Sequence, residues 1–331
     1  MYRQDFWYEV FKWHGSVTPY VLTRVFVFCS ISVGVHTLVE WTGVQTGLGV
    51  APYEIVGVVL ALLLVTRTNA GYDRWYEARK LWGGIVNQTR NLATIGAVYG
   101  PQNRDWQAEF ARWISAFPHA CIRKLRGDTE WQELERLLGK DEAAQLAAAP
   151  HAPLHVAAKI AQMLNDAMRS GQFDRFAFIQ AEHERATLID HIGGCERIMK
   201  TPLARVFSIK IRRFLFLYLV ALPIAIVDKT GVMTPIIVLL VAYPLLSLDQ
   251  IGMELQNPFD VSRLSHLPLD EIAVTIEHNV MHHQPYLQSA NSLTMTRSAV
   301  AVHAGEIAMA ARNNEFQQFT AIPANEGGSN A

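Results

Sequence analysis

The side chains of this sequence that could do chemistry are chiefly its histidines, of which there are 12. One cluster would place a carboxylate and imidazole rings near one face of a helix, because positions three and four residues apart are neighbours there: Glu277, His278, His282 and His283. Such a face could hold a metal ion, although an ordinary solvated helix face explains the same pattern. His183, in the sequence EHER, lacks a second histidine four residues later, so the helical zinc-protease motif is missing.

Other catalytic signatures are also missing from the sequence. It contains no nucleophile elbow, phosphate-binding loop or dinucleotide-binding glycine pattern. Cys29, Cys121 and Cys195 are far apart and form no C-x-x-C pair, so they indicate neither a disulfide framework nor a zinc site. The formal net charge of −1 gives no basis for a nucleic-acid partner. We therefore predict that the protein is not an enzyme and has no catalytic residues, cofactor or metal.

The helices of this chain are predicted to lie partly in a membrane and partly in water. Half of the 331 residues are apolar and only 18% are charged, and the mean hydropathy is +0.11. Four apolar stretches approach the length of a membrane-spanning helix, and they cover 21–39, 53–66, 214–227 and 232–248. A glycine-rich segment separates the first two stretches, and Asp228-Lys229-Thr230-Gly231 is predicted to form a tight turn between the last two. Pro223, Pro235 and Pro244 are each expected to break a backbone hydrogen bond inside the hairpin.

Basic residues predict the orientation of these spans. Arg67, Arg74 and Arg79 follow the second stretch, and Arg212 precedes the third, against only Lys229 between the last two. This predicts a multi-pass protein with both termini in the cytoplasm. The predicted segments are a cytosolic N-terminal segment 1–20, transmembrane helices 1 and 2 in 21–66, a cytosolic helical region 67–212, transmembrane helices 3 and 4 in 213–250, and C-terminal cytosolic helices with a disordered tail in 251–331.

Three sequence blocks, in order along the chain, carry a resemblance to a known family. They are RTNAGYDRWYEARKLWGGIVNQTRNLA at 67–93, CERIMKTPLARVFSIKIRRFLFLYLVALP at 195–223, and ELQNPFDVSRLSHLPLDEIAVTIEHNV at 254–280. These blocks strongly resemble the bestrophins, particularly their bacterial and plant branch, and the resemblance extends from about 10 to 285. The fold class that follows is an all-α membrane protein, a pentameric channel with four transmembrane helices and a large cytosolic helical region.

The resemblance implies a homopentamer in a bacterial inner membrane, surrounded by lipid, with a central pore lined by the second span. At matching distance before Arg67 and Tyr72, the family places a hydrophobic neck, for which the candidates here are Ile55, Val59, Leu62 and Leu63. Any one of these side chains could instead face lipid or a neighbouring helix. The resemblance also implies a cytosolic aperture just before the third span, where Leu203 stands in the sequence TPLAR. A ring of leucines there would oppose a hydrated ion by dewetting.

Family members in animals hold a gating calcium ion in an acidic cluster after Asn-Pro-Phe. Here Asn257-Pro258-Phe259 is followed by one acid, Asp260, and a nearby Arg263, whereas calcium prefers six to eight oxygens. Calcium gating is therefore not expected. The predicted function is passive conduction of chloride or other anions. The alternatives are a cation-selective channel, a non-conducting membrane scaffold and a secondary transporter, although no internal repeat of the kind common in transporters is found.

Overall fold

The computed structural model describes residues 6–127, 130–202 and 205–282, and within these ranges the regular structure is entirely helical. The helices are α1 Phe6–Val10, α2 Thr18–Thr42, α3 Ala51–Tyr99, α4 Arg104–Arg126, α5 Gln132–Leu138, α6 Lys140–Ala148, α7 Ala152–Arg169, α8 Arg175–Lys200, α9 Arg205–Thr230, α10 Thr234–Glu254, and α11, which is helical from 269 to the last described residue, 282.

Three helical segments are long and apolar enough to cross a membrane, namely Thr18–Thr42, Ala51–Tyr99 and Val206–Glu254. The last of these contains both α9 and α10, which are joined by the 3-10 turn Gly231–Met233. Arg212 near the start of α9 reaches Asp249 near the end of α10, so these two helices are antiparallel. Apolar side chains from α2, the first part of α3, α9 and α10 pack into one cluster, which we call the membrane cluster.

The turn between α9 and α10 begins only at Gly231, so the prediction that Asp228-Lys229-Thr230-Gly231 forms this turn was wrong for its first three residues. Asp228, Lys229 and Thr230 still belong to α9. The Asp228 carboxylate accepts hydrogen bonds from Thr46 Oγ1 at 2.6 Å and from the Gly47 backbone N–H at 3.0 Å. It therefore fastens the loop between α2 and α3 to the end of the hairpin instead of forming the turn itself.

The prolines of the hairpin differ in their effect on the backbone. Pro223 and Pro244 lie inside α9 and α10, as the sequence predicts. Pro235 is the second residue of α10, and the expectation that it breaks a hydrogen bond was wrong. The N–H groups of a first helical turn have no partner within the helix, so proline is tolerated there without loss of a bond.

The second hydrophobic cluster is built around the later part of α3, beyond the part that packs in the membrane cluster. It contains Trp82, Phe110 and Phe117 and apolar residues of α4 to α8 and α11, and we call it the aqueous cluster. Glycine allows α8 to lie close to α3, because a methyl group added at Gly194 would come within 2.9 Å of the Leu81 side chain. The 49-residue helix α3 thus connects the two clusters without interruption.

Candidate ion pathway along α3

From Leu60 onward, helix α3 has one buried face. In its first part Leu60 and Leu64 belong to the membrane cluster, and further along Ala78, Trp82 and Ile85 belong to the aqueous cluster. These residues recur at spacings of three, four and seven, which is the repeat of one helix face. The opposite face is therefore left uncovered by the subunit's own chain for most of the helix.

The four neck candidates do not all lie on this uncovered face. Ile55, Val59 and Leu62 are exposed, with 67%, 51% and 63% of their surface accessible. Leu63 is only partly exposed and packs against the membrane cluster. Ile55, Val59 and Leu63 border a common apolar groove between α3 and α9, which Phe214 of α9 also lines, whereas Leu62 does not border it.

Beyond the apolar part, the uncovered face of α3 becomes polar. Thr66, Asn69, Asp73 and Lys80 continue from Leu62 at helical spacing, and all four are exposed. They were not among the site residues predicted from the sequence, although they follow Leu62 at spacings of three, four and seven residues, which is the repeat of one helix face. One helix face therefore presents an apolar section followed by a polar section that carries charge.

The aperture candidate Leu203 lies outside the described residues, so the structure does not bear on its place. The end of α8, shortly before it, is held to α3 by Arg74. The Arg74 guanidinium donates from Nη1 to the carbonyl oxygen of Thr201 at 2.6 Å and from Nη2 to that of Gln256 at 3.3 Å. The chain that enters α9 thus starts from a position fixed against α3.

A buried ion pair closes the end of the membrane cluster nearest the polar region. Arg67 of α3 and Asp249 of α10 are almost completely buried and bonded to each other. Asp249 also accepts a hydrogen bond from Nε of Arg212 in α9 at 3.1 Å. Charges out of contact with water are costly unless they are paired. Asp249 thus links α10 to both α3 and α9 at the same end of the membrane cluster.

The segment after α10 contains the position where a calcium site was considered. The Asp260 carboxylate accepts hydrogen bonds from the backbone N–H and the hydroxyl of Ser262, at 3.0 and 2.7 Å, and these bonds lower its pKa. The Arg263 guanidinium lies 3.6 Å from Asp260 and 3.9 Å from Glu254. A positive side chain thus lies between the two carboxylates of this segment, where a cation would need oxygen ligands.

The histidine cluster on α11 is divided between different contacts. Glu277 accepts two hydrogen bonds from Arg136, each of 2.7 Å, and lies 3.2 Å from Nε2 of His119. The bonds from Arg136 lower the pKa of Glu277, while burial lowers the pKa of His119. The rings of His278 and His282 stack with centroids 4.1 Å apart.

Metal binding by this cluster receives no support from the part of the chain that the structure describes. His283, the remaining member, lies outside the described residues. Among the described residues, no group of three or more histidine, cysteine or acidic side chains is arranged to hold a metal ion. Glu277 is instead engaged by Arg136, which ties α5 to α11.

The fold and this arrangement define an all-α integral membrane protein in which one long helix presents a continuous uncovered face from the apolar region into the polar one. A family model described as Bacterial/Fungal Bestrophin protein matches residues 2–282. The chain belongs to this family, which confirms the resemblance seen in the sequence blocks.

Individual relatives agree with this assignment. The chain is 31% identical over 279 residues to a voltage-dependent anion channel-forming protein of Ralstonia nicotianae, covering 83% of this chain and 90% of that protein. It is likewise 31% identical over 283 residues to the voltage-dependent anion channel-forming protein YneE of Escherichia coli, covering 84% and 91%. A crystal structure of a bacterial bestrophin homologue from Klebsiella pneumoniae superposes with a TM-score of 0.75 at 25% identity, covering 80% of this chain and 98% of that one. The predicted all-α membrane fold is thereby confirmed.

Proposed function

We propose that the protein is an anion channel in which five copies of α3 surround a central pore. The observation that carries this proposal is the uncovered face of α3, which runs past both hydrophobic clusters while the opposite face is buried in them. A face that is apolar up to Leu62 and polar from Thr66 onward suits a pore with a hydrophobic neck and a hydrated vestibule. In a ring of five symmetric copies, this face would line the space around the central axis.

Within this pore, the neck is assigned to Ile55, Val59 and Leu62, because these candidates are exposed on α3. Leu63 supports the neck from behind through its packing against the membrane cluster. Leu203 is retained as the aperture residue on the family resemblance. A ring of apolar side chains resists wetting and so raises the energy of a hydrated ion without binding it.

Conduction of anions is proposed from the names of the relatives, since the neck residues are uncharged and do not determine the sign of the ion. One observation favours a second candidate, a cation channel: the carboxylate of Asp73 is exposed on the same face of α3, shortly beyond the neck. Five such carboxylates would form a ring of negative charge, which is a feature of cation pores. Lys80 follows on that face and would offset the ring.

The placement in the cell follows from the spans and their basic flanks. We place α2, the first part of α3, α9 and α10 across a bacterial inner membrane, with both termini in the cytoplasm and lipid around the outer helices. The activity is passive movement of ions along their gradient, without covalent chemistry, cofactor or nucleic acid.

The decisive experiment is a recording from purified protein in planar bilayers with asymmetric potassium chloride. A reversal potential close to that of chloride supports the proposal, and one close to that of potassium favours the cation channel.

Replacement Asp73→Asn tests the ring of carboxylates: an anion pore should gain relative chloride permeability, and a cation pore should lose cation selectivity. Absence of conductance in a properly assembled sample would indicate a scaffold, and saturating flux would indicate a transporter. A mass in detergent corresponding only to monomer or dimer would contradict the pore.

A further inference from the structure

A groove of about 370 Å³ between α2 and α9 combines positive charge with an apolar floor. Arg24 of α2 and Arg212 of α9 border it together with Val27, Phe28, Leu215 and Phe216. It lies on the side of the subunit formed by α2, α9 and α10, whereas the proposed pore face belongs to α3. Whether a ligand binds in this groove therefore does not depend on whether α3 lines a pore.

The charges around this groove are unequal. Among the described residues, Asp249 is the one carboxylate that borders it, and it is also bonded to the buried Arg67, so three guanidinium groups accompany one negative charge. Arg212 uses Nε to reach Asp249, while 43% of its side-chain surface is accessible. Arg24 donates from Nη1 to the neutral amide oxygen of Gln250 at 3.3 Å. The groove thus has an excess of positive charge and suits an anionic group.

The surroundings of the two arginines indicate what kind of anion fits. Towards the apolar part of the spans the groove is lined by Val27 and Phe216, which are exposed on helices that are long and apolar enough to cross a membrane. Polar sequence follows on the other side, so the arginines lie near the level of lipid headgroups. Guanidinium groups bind phosphate oxygens well, and basic pockets between transmembrane helices bind anionic lipid headgroups.

We propose that this groove binds one anionic phospholipid per subunit, with its phosphate between Arg24 and Arg212 and an acyl chain along Val27, Phe28 and Phe216. A free phosphate ion would use the arginines but leave the apolar floor uncovered. A zwitterionic lipid would cover the floor but bring its own positive group close to the two arginines. An anionic phospholipid satisfies both parts of the groove.

The test is a titration of the detergent-solubilised oligomer with short-chain phosphatidylglycerol, followed by native mass spectrometry. Phosphatidylcholine of the same chain length and inorganic phosphate are titrated in parallel. We expect Arg24→Gln and Arg212→Gln each to weaken binding of phosphatidylglycerol about five-fold, since a basic residue near a membrane surface contributes about 1 kcal/mol to attraction of an anionic lipid. Val27→Trp should weaken it as well, because the added ring occupies the groove without changing the charge.

Arg213→Gln is the matched control, because Arg213 follows Arg212 on α9 but is not among the residues that line the groove. It borders the adjacent depression, which shares only Arg212 and Phe216 with the groove. The proposal requires phosphatidylglycerol binding to be nearly unchanged in this variant. An equal loss in Arg213→Gln and Arg24→Gln would replace the site by general surface attraction and overturn the proposal. Equal affinity for phosphatidylcholine, competition by inorganic phosphate at similar concentration, or unchanged binding in Val27→Trp would overturn it too.

Discussion

The membrane cluster and the aqueous cluster are held together in different ways. The membrane cluster is apolar except at one end, where Arg67 and Asp249 form a nearly fully buried pair. The aqueous cluster also has charged contacts at its surface, as in the pair of Arg197 with Glu77, whose side chains are 67% and 43% exposed. Since a buried charge depends on its partner far more than an exposed one does, the two regions should respond very differently to the loss of a single charge.

The largest expected effect is on the membrane cluster. Asp249→Ala leaves the buried Arg67 guanidinium without its carboxylate, and we expect a loss of about 3–5 kcal/mol in the free energy of unfolding. Thermal unfolding of the oligomer in detergent measures this loss, together with the yield of assembled protein. The matched control Glu77→Gln breaks the exposed pair and should cost less than about 1 kcal/mol.

A double variant separates the lost pairing from a general intolerance of the site. Arg67→Met with Asp249→Leu removes both charges and keeps apolar volume, so its stability should return towards that of the parent. If Asp249→Ala and Glu77→Gln shifted the unfolding temperature equally, the contrast between the two regions would be wrong.

The sequence predicted the class and family of this fold but not all of its geometry. Composition and the three motif blocks are properties of whole segments, so single misplaced residues do not change them. The turn after α9 was predicted too early because Asp228 and Thr230 are common in turns, whereas here they form contacts at the end of a helix. The sequence could not predict that Leu62 is exposed while Leu63 packs against the membrane cluster. The rotation of α3 about its axis depends on its contacts with α9 and α10, and an apolar run in the sequence does not specify these contacts.

The next effect concerns that rotation of α3. Leu62→Ser places a hydroxyl on the proposed pore face, where it favours wetting, and single-channel current should rise several-fold with little change in stability. Leu63→Ser is the matched control, because the neighbouring leucine packs against the membrane cluster. It should cost about 1–3 kcal/mol of stability, because a hydroxyl would replace apolar contacts with the membrane cluster. Higher current in Leu63→Ser and unchanged current in Leu62→Ser would reverse the assigned register.

A smaller effect is expected in the aqueous cluster when the pH falls. Burial lowers the pKa of His119, so the unfolded chain, in which this group titrates near the ordinary value of 6.5, binds a proton more readily than the folded chain. The contribution of His119 to the free energy of unfolding is therefore fully present above pH 6.5, and it is lost as the pH falls through the lowered pKa. Glu277, whose pKa is also lowered, adds a similar loss only below its ordinary value of 4.5.

Thermal unfolding measured across this pH range tests the assignment to His119. His119→Gln should flatten the decline that begins near pH 6.5, whereas His183→Gln, which removes an exposed imidazole from α8, should leave it in place. A decline of the same slope in His119→Gln would assign the pH dependence to other groups.

The smallest expected effect is that of calcium, for which we predict no change in open probability when the ion is added or chelated. The physical reason is local: Asp260 is bonded to Ser262, and the guanidinium of Arg263 lies between Asp260 and Glu254. Arg263→Ala sharpens this test by removing the positive group. The two carboxylates then supply only part of the six to eight oxygens that calcium prefers, so any calcium-dependent stabilisation should require millimolar concentrations. Bilayer recordings and thermal unfolding with calcium or chelator measure both variants. A steep micromolar response of the unmodified protein would mean that oxygens elsewhere complete a site, and that a positive side chain in this segment does not exclude the ion.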